Sequence, residues 1–137
     1  MLLIFFQENN KKYDVIAAFD VLEHFSKNEI VTLMLSIFES LKPGRVFIMK
    51  VPNGGSLSGL YIRYSGFTHE LAFTQLSINE LFKAVGFQKV ICIPEPDLNT
   101  NPIKGLLKKL VKKFIARLFG LDPNFILSTN IIGVGVK

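Results

Sequence analysis

The sequence predicts an α/β domain built on a largely parallel sheet. Within Tyr13–Phe19 the apolar run Val15–Phe19, without alternation, suits a strand covered on both faces, and Arg45–Val51 reads as a second strand. Between them, Ile30, Leu33, Met34, Ile37 and Phe38 recur at helical spacing. The order of strand, helix and strand then repeats along the chain, with turn formers at the joints.

Composition bounds the rest. The 137 residues suffice for one domain with its own core, and 49% hydrophobic content excludes a disordered chain. No apolar run reaches the ~18–20 residues of a membrane span. Met1–Phe6 lacks a basic leader and a small-residue cleavage site, so no signal peptide is expected. Cys92 is alone, which excludes an internal disulfide and fits a reducing, cytoplasmic setting. The net charge of +5 is local, because Lys104, Lys108, Lys109, Lys112, Lys113 and Arg117 fall in one segment.

Taken in order, Met1–Asn9 reads as a helix or strand remnant, followed by a polar turn and the strand Tyr13–Phe19. A helix spans Ser26–Ser40, with Ser26 and Glu29 at capping-box spacing and Pro43-Gly44 beyond its end. Arg45–Val51 is the second strand, and Pro52–Gly59 is a loop rich in turn formers. Leu60–Thr74 reads as an irregular connection over the same end of the sheet. Ser77–Val85 is a helix, with Ser77 and Glu80 at capping-box spacing and Gly86 as its stop. Phe87–Ile93 is a third strand, closed by Pro94 and Pro96. Ile103–Phe119 is a basic amphipathic helix, and Ile126–Val136 is the last strand.

Chemistry is expected where the first strand ends, because ligands of open α/β sheets sit beyond the carboxyl ends of strands. Asp20, Glu23 and His24 cluster there. On one helical face they could hold a divalent metal or act as a general base. The plainer alternative is a helix start with Asp20 as cap and Glu23 in the first turn. His69, in Gly66-Phe67-Thr68-His69-Glu70, is either a substrate-facing base or a surface residue. Gly54, Gly55 and Gly59 match neither a dinucleotide-binding nor a P-loop pattern. In the helix 103–119, Leu106, Leu107, Leu110, Val111, Phe114, Ile115 and Leu118 share one face and the cations the other. It either lies on an anionic membrane surface or packs on the sheet with a solvated basic face. No nucleic-acid partner is expected, since the basic face lacks interleaved aromatics and a recognition motif.

Four signals in order, YDVI-x3-DVLEH, LKPG before an apolar strand and PN, FTHE-x2-FT, and L-x3-GF, together resemble the class I S-adenosylmethionine-dependent methyltransferases. The nearest subgroup is the small-molecule and glycan methyltransferases related to the ubiquinone-biosynthesis O-methyltransferases. The match runs from about Tyr13 to Ile93, and the final strand TNIIGVGVK resembles the end of that fold.

The resemblance implies a Rossmann-like methyltransferase sheet with helices on both faces. This chain would supply strands four to seven, the last antiparallel. It implies S-adenosyl-L-methionine as methyl donor and a small-molecule or sugar acceptor, with methylation on oxygen. Phe19, Asp20 and Leu22 match positions beside the donor. Asp20, Glu23 and His24 match an E-x-x-E-H group that binds a divalent metal such as Mg, with Asp20 shorter in reach than the usual Glu. His24 and His69 would face the acceptor as base or orienting groups.

The acidic-x-G-x-G-x-G loop and the second strand of that family have no counterpart in these residues. The chain 1–137 is therefore expected to be one partial domain, the C-terminal half of the enzyme. Its strand 13–19 would present an open edge, prone to self-association. A module without catalysis, binding partners through that edge or the basic helix, is the alternative.

Overall fold

The computed structural model describes residues 11–97 and 101–137. The expected element at Met1–Asn9 lies outside them. The elements are β1 (Tyr13–Phe19), a 3-10 turn (Leu22–His24), α1 (Lys27–Ser40), β2 (Leu41–Pro52), α2 (Gly59–Ser65), α3 (Gln75–Val85), β3 (Lys89–Pro94), α4 (Pro102–Phe119) and β4 (Asn130–Val136). The strands form one sheet in the order β1-β2-β4-β3. β1 runs parallel to β2, and β4 is antiparallel to both β2 and β3. The last strand is thus the antiparallel one, as the resemblance implies, and it is inserted between its predecessors.

Register sorts the side chains. Ile16 and Ala18 pair with Phe47 and Met49, which in turn pair with Gly135 and Gly133. This is the face on which α1 and α3 pack. α1 contributes Ile30, Leu33, Met34 and Ile37 to the core, and α3 contributes Ile78, Phe82 and Val85. Phe47 stacks on Phe82 at a centroid distance of 5.7 Å. The glycines of β4 make this approach possible: a Cβ on Gly135 would lie 2.3 Å from Phe82 Cδ1. The opposite face carries Val15, Ala17 and Phe19 of β1, Ile48 of β2, Val134 of β4 and Ile91 and Ile93 of β3. No residue of that set is fully buried among the described residues. Both faces are apolar, which is why the strands read as continuous hydrophobic runs.

Several boundaries differ from the sequence reading. β2 begins at Leu41, and Pro43 and Gly44 sit inside it where the register with β1 shifts between Tyr13 and Val15. Gly44 absorbs that irregularity with φ +72°. α3 is capped by Thr74, not Ser77. The Thr74 hydroxyl oxygen accepts from the Ser77 backbone N–H at 3.2 Å, and Ser77 Oγ accepts from the Thr74 N–H at 2.9 Å. Ser77 is the third helical residue, where its hydroxyl returns the bond that Glu80 was expected to make. The stretch after Gly59 forms the short helix α2. Ile126, expected in the last strand, precedes it and packs in the core.

α4 has the expected helical span, and of the two readings left open for it, packing of its apolar face on the sheet is not what is observed. Asn101 caps it by accepting from the Lys104 N–H at 2.8 Å, and Gly120 ends it with φ +62°. Only Ala116 of the helix is buried. Leu107 and Val111 line an open groove of about 950 Å³ with Leu57, Pro96 and Leu127.

Candidate functional site

β1 ends at Phe19, whose register partner is Lys50. The next residue, Asp20, turns the chain with φ +54°, a left-handed conformation that Asp tolerates better than most side chains. The Asp20 N–H donates to the Lys50 carbonyl at 2.9 Å. Its carboxylate pairs with Lys50 Nζ at 2.7 Å, and the pair holds the Lys50 ammonium above its ordinary pKa. Glu95 stands further off, 3.9 Å from the same nitrogen. The turn delivers Leu22 and Glu23 inward and His24 outward.

His69 arrives from the connection between α2 and α3. The Glu23 carbonyl accepts two backbone bonds, from Glu70 N–H at 2.8 Å and Leu71 N–H at 2.9 Å. Those bonds fasten the segment after His69 directly to the turn. His24 Nδ1 lies 3.1 Å from the Thr68 carbonyl oxygen, and His69 Nδ1 lies 3.2 Å from that of Ile62. A carbonyl can only accept, so each Nδ1 carries the proton in these bonds and each Nε2 of a neutral ring keeps its lone pair. The two rings meet edge to face, with centroids 5.0 Å apart and planes inclined by 61°. Gly66 makes room for the arrangement, because a Cβ there would lie 2.9 Å from the His69 ring.

Beneath the histidines, Glu23 is 2% exposed and its Oε2 has no hydrogen-bond partner among the described residues. Burial pushes its carboxyl above the usual carboxylate range, against weaker opposition from its own backbone N–H and the neighbouring imidazoles. One ligand atom each from Glu23, His24 and His69 lie within 4.8 Å of one another.

The residues singled out in the sequence therefore part company. Glu23, His24 and His69 come together. Asp20 is outside that group, drawn to Lys50 on the neighbouring strand. The metal set Asp20, Glu23 and His24 does not assemble, because the left-handed turn at Asp20 breaks the helical spacing that would align it with the other two. Phe19 stands half exposed at the rim, at 54%. Leu22 is wholly buried in the core, so of that residue only the backbone can lie at a ligand surface.

Asn53, the second residue of the PN signal, carries a structural role that the signal alone did not state. It is buried, and its amide donates to the carbonyls of Ile126 at 2.8 Å and Ser128 at 2.9 Å. Its Oδ1 accepts from Gly55 N–H at 3.0 Å. It thereby fixes both the loop after β2 and the entry to β4. Its place in that signal, directly after Pro52 at the end of a strand, is what the sequence offered. Burial beside α3 pushes the Cys92 thiol up to about 11, which disfavours the thiolate.

A family model described as a methyltransferase domain matches residues 4–91. No curated protein sequence matches the chain. Among solved structures, the chain is similar to a SAM-dependent methyltransferase from Archaeoglobus fulgidus, with a TM-score of 0.73 at 15% identity, covering 100% of this chain and 65% of that one. It is similar to a methyltransferase in complex with the Haloferax volcanii Trm112 methyltransferase activator, with a TM-score of 0.64 at 15% identity, over 96% of this chain and 58% of that one. A third is Haemonchus contortus phosphoethanolamine N-methyltransferase 2, in complex with phosphomonomethylethanolamine and S-adenosylhomocysteine. There the TM-score is 0.53 at 19% identity, over 91% of this chain and 33% of that one. At such identities the likeness shows the fold. The chain spans less than two thirds of the length of each of these three proteins.

Proposed function

The chain belongs to the methyltransferase domain family, and on that premise we propose that it forms the acceptor-side wall of an S-adenosylmethionine-dependent methyl-transfer site. The observation that carries this reading is the pairing of His24 with His69 at the rim where β1 ends, both rings pinned through Nδ1. The acceptor group is a hydroxyl on a small molecule or sugar. Methyl transfer forms a carbon–oxygen bond as the carbon–sulfur bond breaks, with the electron pair leaving on sulfur. The acceptor proton passes to a histidine Nε2. Backbone carbonyls restrain both rings, so the gain comes chiefly from alignment and from a proton acceptor in place. Phe19 and the backbone of residues 20–22 stand on the donor side. The small molecule held by the Haemonchus contortus protein supports a small acceptor here.

The test is methyl transfer by the full-length protein with each histidine replaced. His24→Ala or His69→Ala should lower turnover by ~10²–10⁴-fold while donor affinity, read by calorimetry, holds. Turnover left intact in both variants removes the base role.

A second reading concerns α4 and has its own observation. Leu106, Leu110 and Phe114 are 61%, 56% and 67% exposed, and the helix holds cations but no acidic residue. We propose that this helix lies on an anionic lipid surface. Co-sedimentation with phosphatidylglycerol vesicles should exceed that with phosphatidylcholine vesicles and fall in Leu110→Asp; equal binding to both rejects it. The open edge of β1 is proposed to pair with a second copy when residues 1–137 are isolated, and light scattering reads that. A cytoplasmic setting is proposed on the free Cys92.

A further inference from the structure

We propose that the groove between α4, the residues after β3 and the entry to β4 binds one anionic phospholipid, its acyl chain along the apolar wall and its phosphate on Lys109 and Lys112. The proposal goes beyond the reading of α4 as a helix lying on a lipid surface and does not rest on it. It concerns a molecule held singly in a cleft, with or without a bilayer. Three observations carry it.

The first is the shape and lining of the space. Leu107 and Val111, one helical turn apart, form one wall. Leu57, Pro96 and Leu127, from three other segments, complete the apolar lining of about 950 Å³. That volume falls in the ~300–1,000 Å³ range of ligand sites. No aromatic side chain lines the groove among the described residues. A flat ring would want one to stack on, whereas aliphatic walls suit a flexible hydrocarbon chain.

The second is charge. Lys108, Lys109 and Lys112 line the same groove, and so do Glu95 and Asp97. Both acids are already engaged. Asp97 pairs with Lys108, and Glu95 accepts from Asn130 Nδ2 at 2.7 Å. Lys109 and Lys112 form no salt bridge among the described residues. The Lys112 ammonium stands 5.5 Å from the centre of the Phe125 ring. Two cations beside an aliphatic wall complement an anion that carries a hydrocarbon chain.

The third is that the apolar stripe of α4 is wider than the groove. Leu106, Leu110 and Phe114 recur at four-residue spacing on the strip next to Leu107 and Val111, and they do not line the groove. The helix therefore has two apolar surfaces. The inner strip is the one a single chain covers; the outer strip is the one a bilayer covers. Substitutions on the two strips separate the two readings of α4.

The experiment is calorimetry on the full-length protein with dihexanoyl and diheptanoyl phosphatidylglycerol below their micellar concentrations. Dihexanoyl phosphatidylcholine and glycerol phosphate are the controls. Phosphatidylglycerol should bind in a ratio of one per chain, and the two added methylenes should tighten binding by up to about 10-fold. Phosphatidylcholine should bind at least ~5-fold more weakly, as loss of one cation–anion attraction predicts. Glycerol phosphate, which has no chain, should bind more weakly still. Val111→Asp and Leu57→Asp lie on different elements and are both solvent-accessible, at 40% and 76%. Each should weaken binding by at least ~10-fold, and either decides the matter if the other does not fold. Lys109→Gln combined with Lys112→Gln should erase the preference for phosphatidylglycerol. Leu110→Asp should bind the dispersed lipid as the parent does.

No binding of dispersed phosphatidylglycerol, undiminished binding in Val111→Asp and Leu57→Asp, or equal affinity for glycerol phosphate overturns the proposal. A dimer in light scattering that Val111→Asp breaks and lipid leaves intact assigns the groove to a second copy, and overturns it too. Vesicle binding without binding of the dispersed lipid overturns this site and leaves the surface reading of α4 standing. None of these readouts involves methyl transfer, so loss of the histidine base role leaves the groove untouched.

Discussion

Helices α3 and α4 carry equally regular apolar stripes and meet different fates. α3 buries Ile78, Phe82 and Val85 against the sheet. α4 buries Ala116 alone and leaves Leu106, Leu110 and Phe114 open. The difference lies in what faces them. β4 offers α3 a groove made by Gly133 and Gly135, into which Ile78 and Phe82 fit at contact distance. α4 faces an open groove lined by the residues after β3, the entry to β4 and Leu57. A stripe says which side of a helix avoids water; it does not say what will cover it.

Paired truncations break this comparison most sharply. Phe82→Ala should cost ~3–5 kcal/mol of stability in urea titration, the range for a buried aromatic, and Phe114→Ala less than ~0.5 kcal/mol. Equal losses would mean that α4 is docked in solution. Gly135→Ala comes next. Its methyl group would collide with the Phe82 and Phe87 rings, and overpacking of this kind should cost ~1–3 kcal/mol. Gly120→Ala, at the end of α4, meets no neighbouring atom and bears only the strain of its left-handed backbone, so it should leave the packing of α3 untouched.

Cys92 gives the smallest and finest reading. It sits under α3, with Asn79 and Gln75 as its polar neighbours. Its folded pKa of about 11 lies above the ordinary 9.0. A raised acid pKa means the native fold favours the protonated thiol. The stability this adds is full below pH 9.0 and is lost as pH rises through about 11. Alkylation at pH 8 should therefore be slow and should track the opening of α3, not of α4. Fast alkylation, or protection unchanged in Phe82→Ala, contradicts that assignment.

The same contrast runs through the site. The turn at residues 20–24 and the His69 segment were both visible as polar islands among apolar runs. Their joining was not. His24 and Thr68 are 44 positions apart, and their bond forms only because the Glu23 carbonyl takes the N–H groups of residues 70 and 71. Asp20 shows the converse. Spacing of three and four placed it with Glu23 and His24, but one left-handed residue turned it to Lys50. Ser77 and Glu80 had capping-box spacing as good as Ser26 and Glu29, yet Thr74 supplied the cap.

What the amino-acid order determined by itself was local. Apolar runs marked β1 and β2, periodicity marked α1 and the apolar face of α4, and Gly86 marked the stop after α3. Those features depend on neighbours a few residues apart, so they can be read along the chain. Tertiary structure alone decided that β4 lies between β2 and β3, that Asn53 ties two loops, and that Glu23 lies beneath a pair of histidines. Each is a meeting of distant segments, chosen by which surfaces fit, and no spacing along the chain encodes that fit.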